Sequence, residues 1–327
     1  MKILLLASGG FGDAIVFTHL ATLLKEKYPT YSIDFCIGDS FAFQFGNGNN
    51  KDILDILQIQ NNIDKLAIMN TENGMMTYSD GTTFDSTQPS PYEKLYLQRD
   101  FFTDLGYIKS LFIDFINEEG LVPNIGETKF NVFRDKTLPE KYPLNHIAVP
   151  GVKDWENKWS NNSADVKELY QILSDRGYIL HIIGPENGKS YLENLQELAK
   201  CNMYIGTFGS IGHFAAGIGV DTITLSSIYS PVWDNPEFYH SGFHKAIVCK
   251  PKFHCGTYAC IQPKYYSQPK SNPKSLGPPT LEDNNPWVST CRYTASGKSC
   301  VASVEAKDFV KALDQWEEKV DYKNRKI

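Results

Sequence analysis

An aspartate directly follows a glycine-rich turn near the amino terminus, in the run Ser8-Gly9-Gly10-Phe11-Gly12-Asp13. Glycines allow a tight turn and a close approach of the backbone to a ligand, and the free N–H groups at a helix start attract anions. Asp13 is therefore either the N-cap of the following helix or a general base that removes a proton from a substrate hydroxyl. Gly12 belongs to the same ligand-facing turn. A dinucleotide-binding GxGxxG loop would need a third glycine where this chain has Ile15, which disfavours a nicotinamide cofactor.

Two further segments that could bind a ligand follow predicted strand ends in the middle of the chain. Gly151 ends one apolar run, and Lys158 lies in the loop after it. Backbone amides and one ammonium group suit a diphosphate, although an isolated lysine is more often a solvated surface residue. Glu186 follows the strand end Gly184-Pro185. Its carboxylate can accept hydrogen bonds from ribose hydroxyls, or it can be a first-turn glutamate favoured by the helix dipole.

A run of small residues precedes another predicted helix, in residues 205–220. Thr207, Gly209 and Ser210 would offer backbone amides and a hydroxyl to a phosphate group. His213 falls in the first turn of this helix, and it is either a structural histidine or a phosphate ligand. The four segments together predict a phosphate-binding site with a nearby carboxylate.

The apolar pattern indicates the elements that hold these segments. Short apolar runs that end in glycine indicate buried parallel strands, and spacing of three and four residues indicates amphipathic helices. We predict strands at 2–7, 32–38, 146–150, 178–183, 203–205 and 222–225, and helices at 13–27, 166–176, 192–200, from 213, and 304–320. Strands that alternate with helices at this spacing predict α/β domains with parallel, doubly wound sheets.

The remaining segments are less regular. Residues 83–91 read as a loop, residues 96–117 as an aromatic-rich helix, and residues 262–290 as a long polar loop. We divide the chain into an amino-terminal domain at 1–144, a carboxy-terminal domain at 145–302, and a closing helix at 303–327.

Charge and hydropathy exclude some classes of protein and leave others open. The net charge of -6 disfavours a nucleic-acid partner, because phosphate binding usually needs a basic surface. No stretch approaches the ~18 apolar residues of a membrane helix, and the first apolar run is too short for a signal peptide. We therefore expect a cytoplasmic protein without a transmembrane segment, and a peripheral association with a membrane stays open.

Seven cysteines are present, and they are unevenly distributed. Cys36 and Cys201 lie in apolar segments and read as core residues. Four others, with His254 as an additional ligand, would suit zinc, but their irregular spacing equally fits free thiols. These four are Cys255, Cys260, Cys291 and Cys300.

The ordered set of motifs resembles the ADP-heptose:lipopolysaccharide heptosyltransferases of glycosyltransferase family 9. The opening KILLLASGGFGDAIVFTHLATLLKEKYP is similar to the family's G-x-x-G-D turn with its flanking strand and helix. NKWS resembles its K-W loop, IIGPE its strand ending in G-x-E, and IGTFGSIGHFAAGIGVDTITL its D-[ST]-G-x-x-H-x-A-A-x-G signature. Residues 40–140 match poorly.

This resemblance implies a GT-B fold, in which two Rossmann-like domains face each other across a cleft and the last helix returns toward the first domain. It implies an inverting, metal-independent glycosyltransferase that needs no cofactor and uses a nucleoside-diphosphate sugar as donor. Asp13 would be the base, Lys158 would hold the diphosphate and Glu186 would bind the nucleoside. The donor phosphates would be lined by Gly209, Ser210 and His213. The acceptor would be a lipopolysaccharide, another glycan or a glycolipid.

One departure from the family pattern keeps other functions open. Phe208 stands where the signature has aspartate, and it cannot accept a hydrogen bond from the donor. Three alternatives remain: a phage-type glycosyltransferase acting on modified DNA bases, a Rossmann-type nicotinamide or flavin oxidoreductase, and a non-catalytic nucleotide-sugar-binding protein. A lysine cluster supports the first of these, at Lys250, Lys252, Lys264, Lys270 and Lys274.

Overall fold

The structure is a computed structural model. The residues that it describes are arranged around two β-sheets. The described residues are 1–7, 11–38, 62–70, 73–85, 90–97, 113–121, 140–151, 163–207, 210–226, 242–248 and 304–322.

The first sheet is built from amino-terminal segments and has the order β5-β4-β3-β2-β1-β6. Its strands are β1 (Lys2–Ala7), β2 (Ser32–Gly38), β3 (Lys65–Met69), β4 (Met75–Tyr78), β5 (Thr83–Asp85) and β6 (Lys94–Leu97). β6, β1, β2 and β3 are parallel, whereas β4 and β5 add an antiparallel meander at one edge. Because β1 and β2 are central strands, their almost continuous apolar runs are buried.

The second sheet is parallel throughout its described strands and has the order β11-β10-β9-β7-β8. Its strands are β7 (His146–Pro150), β8 (Ile179–Ile183), β9 (Met203–Thr207), β10 (Asp221–Ser226) and β11 (His244–Val248). β7 therefore lies between β8 and β9, although it precedes both in the chain.

The helices described are α1 (Phe11–Lys27), α2 (Ile113–Glu119), α3 (Ser163–Asp175), α4 (Tyr191–Lys200), α5 (Ser210–Gly217) and α6 (Ala306–Lys319). The start of α4 is fixed by a capping box, in which Ser190 Oγ accepts from the Glu193 amide and the Glu193 carboxylate accepts from the Ser190 amide. Among the described residues, no helix combines the length and the hydropathy that crossing a bilayer would require.

One apolar core is shared by the two sheets. α1 packs against α5, and the core cluster joins Leu20 and Leu24 of α1 to Phe214 and Ala215 of α5. Burial of these side chains away from water stabilises the contact between the two halves.

A second core lies on the other side of the second sheet, around the indole of Trp316. α6 packs there against α3, β10 and β11, and Trp316 Nε1 donates to Asp221 Oδ2 at 2.7 Å. The packing described for α6 is with the second sheet. The predicted return of the last helix toward the first domain and the proposed domain limits stay predictions.

A buried carboxylate joins three elements at the amino-terminal edge of the first sheet. Glu119 is the last residue of α2, and its side chain is 1% exposed. The carboxylate accepts hydrogen bonds from Lys27 at 2.8 Å and Tyr28 at 2.9 Å. Lys94 and Tyr96 of β6 donate to its other oxygen. Burial alone would raise the pKa of Glu119, but the lysine and tyrosine donors outweigh it and lower the pKa to about 2.

Three predicted boundaries are wrong. The prediction began a helix at Tyr96. The segment Lys94–Leu97 is instead a strand, because it pairs with β1 and buries the Tyr96 ring. Thr83–Asp85 is a strand within the predicted loop, because it pairs with β4. The helix expected from His213 begins at Ser210. The other predicted helices and strands are confirmed within a few residues.

Candidate functional site

The strand order of the second sheet indicates where a ligand would bind. The chain leaves β7 toward β8 on one side and reaches β9 on the other, so a switch point lies at the carboxyl ends of β7 and β9. Open parallel sheets bind ligands in the crevice at such a point. Gly151 follows β7 directly, and α5 begins just beyond the end of β9. Three of the four predicted segments therefore converge on one edge of the second sheet.

Gly151 and Glu186 are brought into direct contact at this edge. Glu186 lies in a short 3-10 turn, Pro185–Asn187, directly after β8. A Cβ atom added at Gly151 would overlap the Glu186 carboxylate, with only 2.7 Å to its more distant oxygen. Glycine is therefore required at 151 for the Glu186 carboxylate to rest on the main chain. Tyr170 of α3 fixes the end of β7 by donating its hydroxyl hydrogen to the Pro150 carbonyl.

The start of α5 is pressed against the end of β9. A Cβ atom added at Gly212 would lie 3.3 Å from the Thr207 carbonyl oxygen and 3.6 Å from Thr224 Cγ2. Thr207 is buried at the carboxyl end of β9, and Ser210 is the first residue of α5. The amino end of α5 therefore lies at the switch point, and the first N–H groups of a helix have no partner within the helix, as a phosphate-binding site requires. Gly209 and Phe208 lie outside the described residues.

His213 is buried in α5, with 4% of its surface exposed. Desolvation by burial lowers the pKa of its imidazole to about 4. At neutral pH the ring is therefore uncharged, so it can take part in hydrogen bonding but cannot supply a positive charge to a phosphate.

The first sheet has a comparable switch point at the end of β1, which lies between β2 and β6. α1 begins at Phe11, so Gly12 and Asp13 fall within its first turn. Their side-chain positions, and residues 8–10, lie outside the described part of the chain. The observed packing of α1 on α5 connects the helix that carries Asp13 with the helix that carries His213.

The remaining predicted site residues lie outside the described residues. These are Lys158 and the cysteines Cys255, Cys260, Cys291 and Cys300. Within the described ranges, no group of three or more histidine, cysteine or acidic side chains could hold a metal ion. Cys36 and Cys201 are confirmed as core residues, and burial raises the pKa of each thiol to about 12. These two thiols are therefore not reactive at neutral pH.

The sequence alone did not single out Asn194, a buried polar residue of α4 next to the turn that carries Glu186. In sequence it resembles an ordinary polar position on an amphipathic helix. Its burial and its hydrogen bonds identify it in the structure, and no sequence pattern would have done so.

No protein-family model matches the sequence, and no curated protein matches it. Several solved structures do share its fold. The bacterial iron-containing dodecameric glycosyltransferase TibC from enterotoxigenic E. coli H10407 superposes with a TM-score of 0.51 at 11% identity, over 98% of this chain and 77% of TibC. TibC in complex with ADP-D-beta-D-heptose gives a TM-score of 0.51 at 12% identity, over 98% of this chain and 78% of that one.

A glycosyltransferase of family 9 from Veillonella parvula DSM 2008 also superposes with a TM-score of 0.51, at 14% identity, over 97% of both chains. This likeness extends over nearly the whole of each chain. It confirms the predicted fold class, an α/β fold of the GT-B type with two Rossmann-like halves.

Proposed function

We propose that the chain is a glycosyltransferase that moves a sugar from a nucleoside-diphosphate sugar to an acceptor hydroxyl. One observation carries the proposal: at the switch point beside the amino end of α5, the Glu186 carboxylate lies on Gly151. This arrangement offers a hydrogen-bond acceptor for ribose hydroxyls at the same sheet edge as N–H donors for phosphates. The likeness in fold to glycosyltransferases of family 9 supports the same class of ligand.

The donor would be held by groups on the second sheet. The amide groups of Gly209 and Ser210, at the start of α5, would bind the phosphates, and Lys158 would add a positive charge. Gly151 and Thr207 would form the backbone floor of the site. His213 contributes as a neutral imidazole, because burial prevents its protonation at neutral pH. The α5 dipole and Lys158 therefore supply the positive potential.

The reaction would be a single displacement at the anomeric carbon. The acceptor oxygen forms a bond to that carbon while the bond from the carbon to the phosphate oxygen breaks. The acceptor proton passes to the Asp13 carboxylate, and the nucleoside diphosphate leaves with the bonding electron pair. Lys158 and the N–H groups of α5 would stabilise the charge that develops on the leaving group. This route inverts the anomeric centre and requires no metal ion or other cofactor.

The substrates are proposed only at the level of chemical class. The acceptor would be a lipopolysaccharide, another glycan or a glycolipid, and the reaction would take place in the cytoplasm. ADP-D-beta-D-heptose was bound in one of the TibC structures. Because Phe208 replaces an aspartate of the family signature, the donor of this chain can differ in its sugar or base.

A donor screen tests the proposal. The melting temperature would be measured with ADP-, GDP-, UDP- and CMP-sugars, and the sugars that stabilise the protein would then be tested for release of the free nucleotide. A ligand at 100 times its dissociation constant stabilises the folded state by about 2.7 kcal/mol, which is easily detected as a shift. The proposal is wrong if none of these donors raises the melting temperature.

A further inference from the structure

A buried asparagine lies behind the turn that carries Glu186. Asn194 belongs to α4 and is 2% exposed, on the same face as the apolar residues Leu195 and Leu198. A buried amide costs free energy unless its hydrogen-bonding groups find partners. Helix packing alone would favour an apolar residue here, so the partners of Asn194 explain its presence.

All of these partners belong to one short segment, between the end of β8 and the start of α4. Asn194 Oδ1 accepts from the Gly184 amide at 2.9 Å and from Asn187 Nδ2 at 2.7 Å. Asn194 Nδ2 donates to the Ser190 carbonyl at 2.9 Å and the Lys189 carbonyl at 3.2 Å. One side chain thus binds the segment at both ends and at its centre, and it uses both donors and both acceptor positions of the amide.

Asn187 extends this network within the turn. Its Nδ2 also donates to the Ile182 carbonyl at 2.6 Å, and its Oδ1 accepts from the Lys189 amide at 2.9 Å. Gly184 has a φ of 137°, which glycine adopts without steric cost. Because glycine can equally adopt other conformations, the hydrogen bond from its amide to Asn194 Oδ1 helps to select this bend. Glu186 lies between Gly184 and Asn187, and its position follows from theirs.

We propose that Asn194 is the positioning residue for Glu186: it holds the turn in the conformation that places the Glu186 carboxylate on Gly151. The inference rests on the proposed function, because it treats Glu186 as a ligand of the donor nucleotide. Asn194 is buried behind the turn and acts through Glu186, whose side chain is exposed. It therefore determines how well the site is preorganised for the nucleoside.

A double-mutant cycle tests this coupling. The dissociation constants of ADP, GDP and UDP would be measured by calorimetry for the wild type, Asn194→Ala, Glu186→Ala and the double variant. We expect Asn194→Ala to weaken the best of these nucleotides about tenfold in the wild-type background and not at all in the Glu186→Ala background. In a transfer assay, KM for the donor should rise about tenfold while kcat changes less than about twofold.

Two further variants complete the test: one replaces Asn194→Ala if that variant does not fold, and the other is a control. Asn187→Ala removes three hydrogen bonds of the turn from a half-buried position, one of them the bond to Asn194, and it should show the same dependence on Glu186 if Asn194→Ala does not fold. Asn202→Ala is the matched control, because its amide donates to the carbonyls of Tyr142 and Pro143 at 2.8 and 2.9 Å and not to the Glu186 turn. Nucleotide affinity should be unchanged in Asn202→Ala.

The outcomes separate this inference from the proposed function. If the wild type binds a nucleotide and Asn194→Ala weakens binding equally with and without Glu186, or leaves it unchanged in both, the positioning role is wrong and the proposed function stands. If the wild type binds none of the three nucleotides and none of their sugars, the proposed function is wrong, and the positioning role falls with it.

Discussion

The carboxylate of Glu186 rests on the α-carbon of Gly151, although the two residues follow different strands. The cause is the register of the second sheet, in which Pro150 at the end of β7 pairs with Ile183 at the end of β8. Because parallel strands end at the same edge, the residues that follow them meet there. The contact joins two residues that the sequence had marked separately.

A methyl group at position 151 should disrupt this contact. Gly151→Ala places a Cβ where the Glu186 carboxylate lies, so the carboxylate, the end of a flexible and exposed side chain, must move away. We expect the free energy of unfolding to change by less than about 0.5 kcal/mol, because a surface side chain can reorient at little cost. Urea denaturation of the purified variant measures the change, and nucleotide binding should weaken because the carboxylate has left its place.

Truncation of Glu186 provides the matched test of this cause. If Gly151→Ala acts only by moving the Glu186 carboxylate, the Gly151→Ala/Glu186→Ala variant should bind nucleotide as weakly as Glu186→Ala alone and no more weakly. A double variant that binds nucleotide more weakly than Glu186→Ala would show that position 151 acts by a route other than this contact.

The proposed base should affect chemistry and not donor binding. Asp13→Asn keeps the size of the side chain but removes its ability to take a proton. We expect kcat to fall by about 10²–10⁴, the typical contribution of a general base, with the dissociation constant of the donor nearly unchanged. Asp80→Asn, at an exposed hairpin turn, is the control and should have wild-type kcat. Turnover at the wild-type rate by Asp13→Asn would exclude Asp13 as the base.

The parallel core of the fold was predictable from sequence, whereas its edges were not. Runs such as Ile147–Val149 are apolar, end at proline or glycine and are buried on both faces, so local pattern and tertiary environment agree. The meander of β4 and β5 depends on partners across the sheet. Its segments, Met75–Tyr78 and Thr83–Asp85, are short and mostly part-exposed, so they carry little periodic signal.

The residues of the candidate site likewise fall into those that the sequence predicts and those that it does not. Gly151, Glu186 and Ser210 were predictable because each follows a recognisable strand end, and topology brings such ends together. The role of Asn194 depends on hydrogen bonds to the turn before its helix, and no pattern of residue types indicates them. Likewise, the low pKa of His213 follows from its burial between α5 and its neighbours, which sequence spacing does not reveal.

Loss of the buried carboxylate at position 119 should destabilise the first sheet. Glu119→Gln leaves Lys27 and Lys94 facing a neutral amide, so the charge-assisted bonds that join α1, α2 and β6 are lost. We expect the free energy of unfolding to fall by about 1–2 kcal/mol, the scale of a hydrogen bond to a charged group, because Lys27 and Lys94 are 37% and 24% exposed and stay partly hydrated. Chemical denaturation at neutral pH measures the change.

An exposed ion pair supplies the comparison for Glu119. Lys65 and Asp80 are 2.7 Å apart on the hairpin, with 46% and 45% of their side chains exposed. Lys65→Gln should change stability little, because water screens such pairs. Equal losses for Lys65→Gln and Glu119→Gln would contradict the importance that we assign to the burial of Glu119.

The buried histidines of α1 and α5, which pack against each other, should lower the free energy of unfolding in mild acid. Burial lowers the pKa of both His19 in α1 and His213 in α5 to about 4, against 6.5 for a free imidazole. Between pH 6.5 and 4 the unfolded chain therefore binds protons that the folded chain does not, so stability falls as pH falls through this window. Each histidine contributes at most about 1.4 kcal/mol per pH unit.

His213→Gln isolates one of these contributions, because glutamine keeps hydrogen-bonding groups and cannot be protonated. Urea denaturation of the wild type and the variant at pH 8, 7, 6 and 5 should give a stability difference that shrinks by about 1 kcal/mol or more between pH 7 and 5. Above pH 7 the two curves should run parallel, because His213 is neutral in both the folded and the unfolded chain. Parallel curves across the whole range would show that His213 takes up a proton as readily in the folded protein as in the unfolded chain, and it would then be available as a cation beside the donor phosphates.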